Sequence, residues 1–235
     1  MNNLWKNAPA VTVLLAINIL LFLPGLINPS QFSNMVENLG LYYIGSPNFH
    51  YYQIVTHMFM HGGVAHLMFN MFALLMFGGQ LEYLWRTKRF LIFYFITGLG
   101  AVVMHQLAQG FEVMQATGDF FPNIPAGLKP GLAFSGEWAA INFQYAVPVV
   151  GASGAIYGLL LAYAVIFPDA KLIFLLFPVP VKAKYLIPIM MLVELFLGVR
   201  QFSFDNIAHF AHIGGALVGF ILVKFWLRRQ PRGDI

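Results

Sequence analysis

Residues 208–227 read AHFAHIGGALVGFILVKFWL. Lys224 is the only Lys, Arg, Asp or Glu in that stretch. Its length matches the ~20 residues that a helix needs to cross a bilayer. Backbone N–H and C=O groups find no water in lipid, so they must pair along the segment itself, which makes it a helix. At 3.6 residues per turn, His212, Gly215 and Gly219 share one face. The glycines leave a groove where another helix can press in, with His212 beside it.

Five more apolar runs lie outward from this one, at about Pro9–Leu26, Val64–Leu84, Phe90–Gln109, Ser153–Phe167 and Tyr185–Gly198. The last two are short and are expected to begin inside the protein rather than at the lipid surface. Hydrophobic residues make up 59% of the 235 and charged residues 9%, against roughly 25% charged in an average soluble domain. So few charges cannot cover a water-soluble surface. The expected fold is an all-α membrane protein, a six-helix transmembrane bundle forming a single domain over 1–235. No polar stretch is long enough to fold apart from it. The first run exceeds the 7–15 residues of a signal-peptide core and is followed by no small-x-small site, so it is expected to be a retained span.

Charge placement orients the bundle. With the N-terminus cytoplasmic, Lys6, Arg86–Arg89, Lys171–Lys184 and Lys224–Arg232 all fall inside, leaving only Lys129 and Arg200 outside. Both termini are therefore expected in the cytoplasm under the positive-inside rule. Two long outer connections follow, Asn28–Thr56 and Gly110–Val150. The stretch Lys171–Lys184 mixes apolar residues with three lysines and two prolines, and reads as a segment lying on anionic lipid. No basic stripe with interleaved aromatics is present, which excludes nucleic-acid binding as a reading. There is no Cys, hence no disulfide, no thiolate nucleophile and no Cys-ligated zinc.

Polar groups inside membrane helices are costly and so are candidates for function. Ser153 sits in Gly151-Ala152-Ser153-Gly154 at the start of the fourth run. A helix N-terminus supplies free N–H groups and a positive dipole end, which suit an oxyanion. By itself the motif equally fits a packing serine or a cap. His212 could accept a hydroxyl proton near neutral pH, or simply bond a carbonyl. His209 is a weaker candidate for the same work. Tyr157 follows Ser153 by four residues and leans to the same side, either stacking on an imidazole or belonging to an interfacial belt. His66 and Asn70 share a face of the second helix, as oxyanion donors or as interhelical glue. His57 and His61 have a zinc-pair spacing, but the residues between them are Met58, Phe59 and Met60, with no Glu to act as base. No metal and no cofactor are expected.

Taken together, these residues resemble the rhomboid family of intramembrane serine proteases. His66-x-x-x-Asn70, Gly151-x-Ser153-Gly154 with Tyr157, and His212-x-x-Gly215-x-x-x-Gly219 are similar to the family's motifs in order and on the matching helices. The resemblance implies a dyad without a carboxylate, Ser153 as nucleophile and His212 as general base. It also implies an oxyanion hole of His66, Asn70 and the Ser153 N–H. Transmembrane proteins would be the substrates, cut near small or helix-breaking residues, and the lipid bilayer the other partner. A bacterial inner membrane is the expected location. Many members carry Trp-Arg in the first loop where this chain has Tyr52-Gln53, which leaves that loop's anchor open. The principal rival is a non-proteolytic relative that binds or delivers membrane proteins. A small transporter is disfavoured, because only Glu194 offers a carboxylate deep in a span. The acid nearest His212 in sequence, Asp205, lies too far along the chain to orient it, so helix packing and Tyr157 stacking are expected to do so.

Overall fold

The computed structural model describes residues 7–122, 141, 145–174, 177–200 and 208–229. It is predominantly helical. Helix α1 spans Pro9–Ile27, and α2, Pro29–Leu39, follows after Asn28. A short helix α3, Gln53–Thr56, runs into a 3₁₀ turn, His57–Phe59. Helix α4, Val64–Ala73, continues through a π-helical stretch, Leu74–Gly78, into α5, Gly79–Thr117. Helix α6 is Ser153–Ile166, a hairpin of β1, Lys171–Phe174, and β2, Phe177–Lys182, comes next, and α7, Ala183–Arg200, and α8, His209–Arg229, complete it.

Three stretches among the described residues are long and apolar enough to cross a membrane: Pro9–Ile27, Val64–Thr117 and His209–Arg228. The second is 54 residues long and breaks at Arg86, whose φ of 67° and ψ of 159° are not helical. The break divides it into lengths of about 33 and 46 Å at 1.5 Å per residue, each enough for one crossing. The two runs expected to be separated by a loop are thus joined by a single bent residue. Large side chains such as Phe69, Phe72 and Leu107 are more than 60% exposed, as surfaces solvated by lipid tails are. Helix α7 carries Lys184, Glu194 and Arg200 in 18 residues, and α6 is only 14 residues long.

Several boundaries differ from the sequence expectation. Helix α5 reaches Thr117, taking the first eight residues of the predicted second outer loop into the helix, because the apolar face continues through Val113. The first outer loop holds α2 and α3. The Lys171–Lys184 segment holds an antiparallel hairpin, with Lys171 opposite Lys182. Its base is tied by Asp169, which accepts from Lys182 Nζ and Lys184 Nζ at 2.9 Å each. Those ammonium groups hold the Asp169 carboxyl down at about 2.

Two buried acceptors organise the periphery. Glu82, 1% exposed, accepts from the backbone N–H of Ala10 at 2.9 Å and of Val11 at 2.8 Å, with Thr87 Oγ1 donating at 2.7 Å. It caps α1 from the start of α5, supplying an acceptor for N–H groups that no residue of α1 can satisfy. Gln53, fully buried, anchors the first outer loop. Its Oε1 accepts from His50 N at 3.0 Å, and its Nε2 donates to the carbonyls of Asn38 and Asn48 at 3.2 and 3.1 Å. The loop thus has an amide anchor at the position where the sequence comparison left it open.

At the centre, α8 packs between α5 and α6. A Cβ on Gly215 would run into the Gly154 carbonyl oxygen of α6, and one on Gly219 would lie 2.8 Å from Gly158 Cα. On α8's other side, a Cβ on Gly214 would approach the Gly100 carbonyl of α5 to 2.7 Å. Helix α8 is therefore fixed by close backbone approach on two sides, as membrane helices achieve with small residues.

Gly215→Ala should then lower the thermal unfolding midpoint of the purified protein, with a cost of about 1–3 kcal/mol or more from overpacking. Gly63→Ala, where nothing lies within 4 Å of the added carbon, should stay within about 0.5 kcal/mol of the parent. Equal midpoints for the two variants would contradict the backbone contact.

Candidate active site

Ser153 is the first residue of α6. The turn before it is made by Gly151, whose φ of 125° suits glycine and whose N–H donates to His57 O at 2.9 Å. A Cβ there would lie 2.8 Å from His66 Nε2 and 3.7 Å from Ser153 Oγ. Those two side chains therefore border the space that Gly151 leaves open. Ser153 is partly exposed, so a second molecule can reach its hydroxyl. The first N–H groups of a helix have no acceptor within it, and the N-terminal dipole is positive, so the start of α6 favours negative charge.

His212 stands one turn into α8, nine-tenths buried. Its Nε2 lies 2.8 Å from Ser153 Oγ. The Tyr157 ring stacks on the imidazole, centroids 4.1 Å apart and planes within 7°. Gly154 and Gly215, on the turns that carry the serine and the histidine, make the backbone contact that allows this approach. Gly158 and Gly219 repeat it one turn further along.

The expectation that no carboxylate orients His212 is corrected here. Glu194 of α7 places Oε2 3.0 Å from His212 Nδ1 and 2.6 Å from His209 Nδ1. Its Oε1 accepts from the Tyr157 hydroxyl. The carboxylate is 18 residues from His212 in the chain, and helix α7 folds back to bring it alongside α8. Packing and stacking are present as expected, and the acid is added to them. Asp205, the acid weighed from sequence, lies outside the described residues.

His66 and Asn70 lie on α4, and His66 faces the turn before α6. His66 Nδ1 accepts weakly from Gly62 N at 3.4 Å, and its other nitrogen faces the Gly151 turn. Asn70 is buried, and its Nδ2 donates to His66 O at 3.0 Å. An amide carries two N–H groups, and one is engaged there. His57, half of the expected non-zinc pair, uses Nδ1 on Gln53 O at 2.8 Å. Among the described residues the group with metal-donor chemistry is Glu194, His209 and His212, their ligand atoms within 4.8 Å of one another. The 2.6 and 3.0 Å separations within it are those of hydrogen-bonded partners.

A serine hydroxyl and an imidazole are paired at the start of two close-packed helices of a predominantly helical chain with candidate membrane-spanning segments. A family profile described as the rhomboid domain matches residues 48–229. This chain belongs to the rhomboid family. It is 27% identical over 210 residues to a rhomboid protein of Schizosaccharomyces pombe named as uncharacterized and mitochondrial, covering 77% of this chain and 53% of that one. It is 26% identical over 181 residues to RHOMBOID-like protein 6, mitochondrial, of Arabidopsis thaliana, covering 77% of this chain and 45% of that one. The chain thus spans about half the length of these curated relatives.

The glycine at 151 gives a direct test of the site's geometry. Gly151→Ala places a carbon against the His66 ring in a backbone conformation that alanine rarely adopts. Labelling of Ser153 by a serine-directed fluorophosphonate should fall at least about tenfold, while the protein remains folded, since the strain is of order 1–3 kcal/mol. A labelling rate equal to the parent's would show that the turn does not shape the site.

Proposed function

We propose that this protein is an intramembrane serine endopeptidase that hydrolyses peptide bonds in the transmembrane segments of other proteins. The observation that carries the reading is the 2.8 Å separation of Ser153 Oγ and His212 Nε2, between helices locked by glycine contacts. Six crossings, both termini in the cytoplasm and one domain over 1–235 complete the proposed arrangement, with the site opening to the outside. The bacterial inner membrane is the proposed location, although the two relatives named above are described as mitochondrial.

In the proposed reaction, Ser153 Oγ attacks the scissile carbonyl carbon while its proton passes to His212 Nε2. The carbonyl π electrons move to oxygen. That oxyanion is met by the Ser153 N–H at the start of α6, with His66 and Asn70 as side-chain donors. Collapse breaks the C–N bond, and His212 returns the proton to the leaving amine. Water then adds to the acyl-serine ester, giving its proton to His212, and the carboxylic acid leaves as Ser153 recovers its hydrogen. A helical substrate hides its carbonyls in hydrogen bonds, so the segment must unwind near the cut. Small or helix-breaking residues there ease that step.

The test is cleavage of a panel of single-span substrates by purified protein in liposomes. Ser153→Ala and His212→Ala should each abolish cleavage with normal expression, and the double variant should be no worse than either, because the pair acts as one unit. Asn70→Ala should lower kcat more than it raises KM, by up to about 2.7–4 kcal/mol of transition-state stabilisation. Turnover retained in Ser153→Ala would overturn the reading. A wild type that neither cleaves nor labels, yet still binds membrane proteins, would assign the non-proteolytic role.

A further inference from the structure

Glu194 sits where a membrane protein should least tolerate it. It is the one acid in α7, its side chain is 12% exposed, and the residues beside it are Val193 and Leu195. An unpaired carboxylate at such a depth is costly. Here three donors converge on it from two other helices: the Tyr157 hydroxyl of α6 on Oε1, and His209 Nδ1 and His212 Nδ1 of α8 on Oε2. No nearby Lys or Arg is needed to account for the placement. All three partners are polar groups at the site, and one of them is the histidine that faces Ser153.

The geometry dictates a tautomer. An ionised carboxylate only accepts, so both Nδ1 atoms that face Oε2 carry protons. A neutral His212 protonated on Nδ1 has its lone pair on Nε2, and Nε2 is the atom 2.8 Å from Ser153 Oγ. The alternative tautomer would put N–H against Nε2's serine partner and leave Nδ1 as a second acceptor facing the carboxylate. Glu194 therefore selects the form of the imidazole that can receive a proton from the hydroxyl. Tyr157 serves twice, since its ring stacks on His212 while its hydroxyl holds the same carboxylate. His209 holds Oε2 from the other side, so the carboxylate has no free rotation by which to leave its post.

We propose that Glu194 is the positioning residue of a Ser153–His212–Glu194 constellation: its carboxylate, clamped by Tyr157 and His209, holds His212 with a proton on Nδ1 and a bare Nε2 toward Ser153. The proposal rests on the proteolytic reading above and changes its chemistry from a two-member to a three-member device. Glu194 touches neither substrate nor the reacting atoms and acts only through the imidazole. No proton leaves the histidine toward it. When Ser153 gives its proton to Nε2, the imidazolium that forms lies 3.0 Å from a negative carboxylate, an attraction absent before the transfer.

The experiment compares the full-length protein with Glu194→Gln, Glu194→Asp and His209→Gln, with Glu37→Gln, a half-exposed acid on α2, as control. Glutamine keeps the shape and can offer its NH₂ to Nδ1, which favours the wrong tautomer. In Glu194→Gln, kcat should fall between about tenfold and 10⁴-fold, with KM within about twofold, as for loss of the orienting acid in serine protease triads. Glu194→Asp should recover part of that loss, and His209→Gln should cost less than Glu194→Gln. Glu37→Gln should match the parent. A Glu194→Gln enzyme that stays folded with kcat within about threefold of the parent would overturn the proposal.

A second measurement decides the matter even if the variants fold poorly or the parent cleaves nothing. Nitrogen-15 NMR of the imidazoles in the wild-type protein reports the His212 tautomer, assigned by loss of its signals in His212→Ala. A proton on Nδ1 and a bare Nε2 is the expected state, and a proton on Nε2 with a bare Nδ1 would refute the role of Glu194. Absence of fluorophosphonate labelling at Ser153 would strike the proteolytic reading alone, because the tautomer is read without turnover.

Discussion

The contact on which the site depends has no side chains in it. The Gly154 carbonyl of α6 occupies the place where any other residue at 215 would carry its Cβ. Lipid gives helices no hydrophobic reason to associate, so close packing and hydrogen bonds must hold them. Glycine at 215 and 219 allows the two backbones to meet, and the meeting fixes the distance between Ser153 and His212. Gly214 presses α8 against α5 as well, so the histidine helix cannot move away from the serine helix without meeting a third. The spacing of the two polar side chains therefore comes from backbone fit.

Two carboxylates, Glu82 buried and Glu194 partly buried, show how the same chain solves the same physical difficulty. Glu82 is satisfied by two backbone N–H groups and a threonine hydroxyl, and it fastens one helix to another. Glu194 is satisfied by a tyrosine hydroxyl and two imidazoles, all of which have acid–base chemistry of their own. Each collects three donors, as a charge withdrawn from water requires. The identity of the donors, rather than the burial of the acid, distinguishes the two carboxylates.

Much of the site could be read from the chain because it consists of polar residues standing in apolar runs. His66, Asn70, Ser153 and His212 are conspicuous for that reason, and glycines at 215 and 219 fall on the His212 face by simple helical periodicity. Glu194 is just as conspicuous, but its partner was not. Period and spacing say which residues share a face of one helix, and say nothing of which faces of different helices meet. The nearest acid along the chain, Asp205, drew attention that belonged to one 18 residues away. Gln53 escaped for a related reason. Its three bonds join parts of one loop whose path no periodicity describes. The kink at Arg86 was hidden because a basic cluster between two apolar runs reads as a loop, and here a single residue with positive φ breaks the helix.

The cap that Glu82 places on α1 also imposes an order on the making of the protein. Ala10 and Glu82 are 72 residues apart, so the first helix leaves the ribosome long before its acceptor exists. At roughly 5–20 residues per second, the interval is about 4–14 s. Throughout that time the N-terminal N–H groups of α1 must be satisfied by water or lipid headgroups, which holds that end of the helix at the membrane surface. When residue 82 arrives, the carboxylate replaces those partners and draws the helix end against α5. The first helix can thus be fastened to the start of α5 before α6, α7 and α8 have been made.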